Sequence, residues 1–295
     1  MMDYAHYCET LLGHQCIIVT PKNHQQNSMD NNECAYRWIA NRFPILFTDS
    51  ENTLIKNQVD LIYVIKHGQK DDIEFNTIPY VVHCVFDMTH PHGKVYAAVS
   101  ETLAKKFNAT SWVPHIVSMN AFWSMDDLRP QLSIPPHATV FGRYGGLDTF
   151  NLDFAKGVIS HIVRHRPDVY FLFMNTPQWD NHPQIIHLPA ISNQNFKKRF
   201  IKTCDAMVVP ETMGHTFGLS IAEFQTFRKP ILCYNHNLYN TAHIDILGDE
   251  GRYFKTHGEL LDLIQTFDNE TSTNMYRRFN PDDVIERFHQ VFLQK

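Results

Sequence analysis

The chain reads as an α/β protein made of two Rossmann-like domains facing across a cleft. Three observations carry this reading. Short apolar runs alternate with segments of helical period along all 295 residues. A polar stretch at 126–136, holding Pro130, Pro135 and Pro136, separates two stretches that repeat this grammar. In the second stretch, glycine-containing turns follow apolar runs directly. Short buried strands separated by helices imply parallel sheets with both faces covered, and ligands of such sheets collect at the carboxyl ends of the strands. The expected boundaries are 1–128, 129–280, and a last helix, 281–295, that packs back toward the first domain.

Each element has its own warrant. Tyr4 to Leu12 has helical character and stops at Gly13, and Cys16 to Val19 is an apolar strand. Cys34 to Phe43 is helical, because Ala35, Trp38, Ile39 and Phe43 share one face. Ile45 to Phe47 and Leu61 to Ile65 are short strands. Tyr80 to Phe86 follows Pro79, and Val95 to Val99 leads to Ser100, which caps a helix from Glu101 to Phe107. The second stretch gives strands at Thr139 to Phe141, Val169 to Met174, Ile185 to Leu188, Ala206 to Val209 and Pro230 to Tyr234. Its helices are Leu152 to His165, Asn193 to Thr203, one ending near Arg228, and His257 to Phe267. Pro281 to Leu293 is amphipathic.

Composition excludes several classes. A net charge of −5 gives no electrostatic support for nucleic acid or an anionic membrane as partner. The six cysteines are scattered without a CxxC pair, so they read as buried free thiols of a reducing compartment. No signal peptide or spanning apolar run is expected, which points to a cytoplasmic protein with no membrane span. The 18 histidines are dispersed and read mostly as surface or loop residues.

Function is most legible in PETMGHTFGLSIAEF, Pro210 to Phe224. Gly214 and Gly218 stand between a strand and a helix, where free N–H groups meet the positive end of the helix dipole and form an anion site. Glu223 follows Gly218 by five residues, about one and a half turns on, where a carboxylate can still face a ligand at the helix start. Donors for a phosphate beside an acceptor for a diol describe a sugar nucleotide. Upstream, FGRYGG places Arg143 after a strand, with Gly142, Gly145 and Gly146 around it. Read alone, FGRYGG is an ordinary turn with an exposed arginine, and Glu223 a helix-surface carboxylate.

HTFGLSIAEF resembles the donor-binding signature of retaining glycosyltransferases of the two-domain B fold (GT-B), family 4 type. The resemblance covers the C-terminal half well and the N-terminal half loosely. That family sets two glutamates eight positions apart; Glu223 matches the second, and His215 stands in place of the first. The resemblance implies transfer of a sugar from a UDP- or GDP-type donor to a glycan or other hydroxyl acceptor. Retention and metal-free, cofactor-free catalysis follow from it too, the leaving phosphate taking the acceptor proton. It assigns Arg143 to the leaving phosphate and Glu223 to the ribose hydroxyls. Thr216, Phe217, Gly218 and Leu219 contact the diphosphate and sugar, with Thr216 also a candidate helix cap.

Departures accompany the resemblance. The family's lysine about five residues after the arginine is Asp148 here, and Lys156 lies on the next helix. His215 can hold a sugar hydroxyl, with other geometry and no fixed charge. Glu211, four positions earlier, reads as a plain loop acid, or as a substitute for the family's first glutamate if the loop folds back. A first strand and glycine-rich loop are expected before Tyr4 and do not stand in the sequence.

In the N-terminal half, Lys66-His67-Gly68 and FDMTHPHG follow strands. A histidine near the reacting carbon is implied there, and His83, His90 and His92 are not separated by motif; His90 is carried forward as the candidate. His90 and His92 with Asp87 also permit a metal, without a full ligand set. Two other functions stand beside transfer: a degenerate nucleotide-binding protein without turnover, and a sugar-nucleotide epimerase of the same fold.

Overall fold

The computed structural model describes residues 2–20, 36–37, 39–121, 126–191 and 193–294. Cys34, Ala35 and Trp38 of the expected second helix lie outside them. Contacts divide the chain into two compact units, Met1–Ser118 with Phe279–Lys295, and Met119–Arg278.

The second unit is organised by one six-stranded parallel sheet. Its strands are β6 (Thr139–Tyr144), β7 (Val169–Met174), β8 (Ile185–Leu188), β9 (Ala206–Val209), β11 (Ile231–Tyr234) and β13 (Gly251–Phe254), in the order β13-β11-β9-β6-β7-β8. Strands β9 and β11 are buried at every position. Helices α4 (Asp153–His165), α5 (Gln194–Thr203), α6 (Leu219–Thr226) and α8 (His257–Gln265) connect them. Helix α4 lays Ala155, Val158, Ile159, Ile162 and Val163 on Phe141, Phe171 and Phe173 of the sheet, at the spacing of one helical face. A short pair, β10 (Gly214–His215) with β12 (Asn240–Thr241), stands apart from the main sheet, and α7 (Ala242–Leu247) follows it. That pair, α7 and β13 carry no strong periodic signal and are absent from the sequence reading.

The first unit contains α1 (Met2–Leu12), β1 (Ile18–Thr20), β2 (Ile45–Phe47), α2 (Glu51–Lys56), β3 (Ile62–Lys66), β4 (Tyr80–Cys84), β5 (Val95–Ala98) and α3 (Glu101–Lys106). Ser100 caps α3, its side chain accepting from the Leu103 amide. The strands form two parallel sheets, β1-β2 and β3-β4-β5. The final helix α9 (Pro281–Phe288), continued by a π-helical turn at His289–Leu293, belongs to this unit. The Phe288 ring stacks on Tyr4 at 5.1 Å between centroids, Tyr4 Oη donates to the Pro114 carbonyl, and Arg287 Nε donates to that of Trp112. Among the described residues no helix is long and apolar enough to cross a membrane.

Candidate functional site

The candidate site lies in the second unit, at the carboxyl end of β6. Side chains alternate across a strand, so Arg143 and Tyr144 leave β6 on opposite faces and organise two polar clusters.

The Arg143 cluster is deeply buried, with Arg143 itself 2% exposed. Its Nη1 donates to Thr176 Oγ1 at 3.0 Å and its Nη2 to Thr149 Oγ1. Nη2 also lies 3.7 Å from Glu211 Oε2, and the Phe150 ring packs 5.6 Å from the guanidinium. Burial lowers the Arg143 pKa and Glu211 opposes that shift. Glu211 is 4% exposed, which corrects its reading as a plain loop acid. Burial pushes its carboxyl up to about 7, against the pull of Arg143 and Thr149.

Glu211 Oε1 lies 3.1 Å from His215 Nε2, off-line for a hydrogen bond, so Nε2 is buried with no hydrogen-bond partner. Burial first, then Arg143, lowers the His215 pKa to about 4, and the ring is neutral. The His215 amide donates to His243 Nδ1 at 3.2 Å, which puts the His243 proton on Nε2. A buried, unpartnered nitrogen beside a carboxyl of near-neutral pKa is a pair that a ligand hydroxyl can satisfy from either side.

The glycines of the loop have separate reasons. Gly214 has φ 65°, and a Cβ there would stand 1.9 Å from the Asn240 carbonyl oxygen. Gly218 sits at the cap of α6 with φ 88°, facing Tyr276 Oη and His243. The cap is therefore Gly218 and not Thr216, which is buried. The first bond of α6 runs from the Ala222 amide to the Gly218 carbonyl, so the amides of Leu219, Ser220 and Ile221 precede the helical ladder. Phe217 is 2% exposed, its ring against Tyr276 and its carbonyl accepting from Tyr276 Oη, so its side chain is core. Leu219 is exposed.

The glycines after β6 differ again. Gly142 lies inside the strand, where a Cβ would come 2.1 Å from Cys204 Sγ; its role is packing α5 on the sheet. Gly145 lies against Arg143 and Thr149, and its carbonyl accepts from Asn175. Gly146 is exposed, with its carbonyl accepting from Thr149.

On the other face, Glu223 is 8% exposed rather than a surface carboxylate. It accepts from Tyr144 Oη and, at 3.0 and 3.3 Å, from Lys197 Nζ. Sequence reasoning passed over Lys197 and Tyr144, and weighed Glu211 only as a loop acid that takes the first glutamate's place if the loop folds back. A signal for Lys197 existed: it stands three and four residues before Phe200 and Ile201, so α5 carries a cation on its apolar stripe.

The histidine candidates of the first unit separate. His83 is fully buried; its Nδ1 accepts from Tyr63 Oη at 2.6 Å, and its Nε2 donates to the Val113 carbonyl at 2.7 Å. Burial lowers its pKa to about 4. His90 is exposed, its Nδ1 3.0 Å from Thr89 Oγ1 and its carbonyl accepting from His92 Nδ1. Lys66 Nζ is committed to Asp71 and the Ile73 carbonyl. Among the described residues no group of three or more His, Cys, Asp or Glu side chains could hold a metal.

No family model and no curated protein matches the sequence. Solved structures do match in fold. HepE from Anabaena, in complex with UDP and glucose, aligns with a TM-score of 0.65 at 13% identity over 94% of this chain and 99% of that one. A glycosyltransferase from Rickettsia africae aligns with a TM-score of 0.62 at 11% identity, covering 99% and 89%. TarM of S. aureus aligns with a TM-score of 0.54 at 12% identity; this chain spans 52% of its length. The fold is GT-B: two Rossmann-like α/β units, as in these glycosyltransferase structures.

Proposed function

We propose that the protein is a glycosyltransferase, family 4-like, that moves a sugar from a UDP- or GDP-type donor to a glycan or other hydroxyl acceptor. Transfer proceeds with retention and needs no metal. The second unit takes the nucleotide sugar and the first serves the acceptor. The observation that carries this reading is the convergence of Arg143 and the start of α6 in one unit. They are joined through Glu211, His215 and His243, at the strand ends where this fold binds ligands.

In this reading the amides of Leu219, Ser220 and Ile221, with Thr216 and Gly218, receive the diphosphate, and Gly145 and Gly146 let backbone approach it. Negative charge grows on the leaving phosphate as the anomeric bond breaks, and Arg143 stabilises that charge in a site that excludes water. Glu211 and His215 together do the work of the family's first glutamate and hold a donor-sugar hydroxyl. Glu223 accepts from the ribose hydroxyls, with Tyr144 and Lys197 fixing its carboxylate and Lys197 supplying a second cation. His90 serves the acceptor side. Complexes of HepE with UDP and with UDP-glucose support a nucleotide-sugar donor.

One observation favours the degenerate binding protein instead: both oxygens of Glu223 and both terminal nitrogens of Arg143 are already engaged by protein groups. Calorimetric titration with UDP, GDP, ADP and their glucose conjugates, without metal, comes first. Binding of one nucleotide, followed by acceptor-dependent transfer, is expected. Binding without transfer gives the degenerate reading, interconversion without acceptor the epimerase, and no binding ends all three. Arg143→Lys should cut turnover about 10²–10³-fold with a smaller loss of donor affinity. Unchanged turnover with weakened binding would remove Arg143 from the chemistry.

A further inference from the structure

In the first unit two sheet edges and a cavity lined by both of their strands coincide. Strand β1 pairs only with β2, and β3 only with β4, among the described residues. In a parallel ladder, alternate residues send both backbone groups to opposite sides. The Ile18 amide bonds the Pro44 carbonyl and the Thr48 amide the Thr20 carbonyl, so Ile18 and Thr20 face β2 and Val19 faces away. The Ile62 amide bonds the Pro79 carbonyl and the Val85 amide the Lys66 carbonyl, so Tyr63 and Ile65 face away from β4.

Between these edges lies a cavity of about 960 Å³. Val19 and Tyr63 line it from the strands, Tyr4 and Cys8 from α1, and Phe288 and Phe292 from the C-terminal helix. Val19 is 38% exposed, although it belongs to an apolar strand. The solvent border of the cavity carries exposed Asp60 and Asp72 against Lys94.

We propose that this slot binds an extended segment of a partner polypeptide. The occupant is a strand of about five Val, Ile or Leu residues, matching β3, flanked by Lys or Arg. Backbone groups of Val19, Tyr63 and Ile65 give its ladder bonds on two sides, which dictates an extended conformation without proline. The apolar lining selects a continuous apolar run, and the acidic border selects basic flanks. Such an occupant turns two short sheets into one.

The test uses the full chain and a fluorescein-labelled peptide, Lys-Lys-Val-Ile-Val-Ile-Val-Lys-Lys, read by anisotropy. Two companion peptides carry proline at the centre or glutamate in place of every lysine. Saturable binding is expected, at least tenfold weaker for each companion, with slowed amide exchange at Tyr63 and Ile65. The protein is unaltered, so folding does not confound the result. Absence of saturable binding, equal binding of the proline peptide, or exchange at Tyr63 and Ile65 unchanged by bound peptide would overturn the proposal. Concentration-dependent dimers that protect these amides without peptide would overturn it too, by assigning the slot to a second copy.

Discussion

The same alternation of strand and helix builds a continuous six-stranded sheet, with a two-residue pair apart from it, in the second unit and two short sheets in the first. In the second unit β9 and β11 have neighbours on both sides, and every residue of both is buried. In the first, all three residues of β2 are partly exposed, and so are the three middle residues of β3. The strands of both units are apolar, so composition does not separate them. Burial follows from a complete ladder: a strand with a free edge keeps backbone polar groups that need water, and water stays beside its side chains.

Hydrogen exchange should show this difference at its largest. Amides of Met207 and Val208 in β9 should open only with the whole unit, with protection set by its global stability. In β3, the amides of Ile62 and Val64 point toward β4, whereas those of Tyr63 and Ile65 face the slot and should exchange orders of magnitude faster than β9. Uniform protection along β3 in the free chain would mean that its outer edge is satisfied.

Truncation should follow the same order. Leu232, fully buried in β11, should cost about 2–5 kcal/mol as Leu232→Ala, whereas half-open Val19→Ala should stay within about 0.5 kcal/mol. Chemical denaturation measures both, and comparable losses would contradict an open slot at β1.

A sealed sheet also encloses charge at its strand ends. Glu211 has a folded pKa of about 7 against an ordinary 4.5, so the folded chain keeps a proton that the unfolded chain releases between these values. This group's contribution therefore makes stability fall as pH rises from 4.5 to 7, by up to about 3 kcal/mol at roughly 1.4 kcal/mol per pKa unit. His215 acts oppositely: its pKa drops from 6.5 to about 4, so its contribution is lost as pH falls through that window. Glu211→Gln should remove the fall, and His215→Gln should expose it from pH 4.5 upward. A pH–stability curve indifferent to Glu211→Gln would mean that the carboxylate stays ionised in the fold.

Much of the architecture was readable because local signals and burial agree there. Val169 to Met174 and Ala206 to Val209 are continuous apolar runs, and their strand bounds follow. The pair β10–β12 has two residues per strand, too few for any period, and rests on the contact of Gly214 with Asn240. Of the candidate site, the loop glycines Gly214 and Gly218 and the placement of Arg143 and Glu223 on one strand and one helix were readable, whereas Gly142 proved to be a packing position. The partners of Arg143 and Glu223 were not readable. Lys197 reaches Glu223 across 26 residues, and Glu211 meets Arg143 only when the loop after β9 folds back under His215. Sequence spacing reports neighbours along one element, whereas burial of a polar group depends on elements brought together from elsewhere.

The smallest prediction isolates what the two units share. Ser100 caps α3 in the first unit by accepting from the Leu103 amide; Thr256 caps α8 in the second, with Glu259 completing a capping box. Both bonds are local and satisfy an amide that the helix leaves unpaired. Ser100→Ala and Thr256→Ala should therefore each cost about 1 kcal/mol, in contrast to the unequal losses at Leu232 and Val19. Ser100 is buried whereas the Thr256 cap is exposed, which places the larger of two similar losses in the first unit. If Ser100→Ala cost nothing while Thr256→Ala kept its full effect, the first unit would be weak in its helices as well as at its sheet edge, and the open ladder would no longer account for the difference between the units.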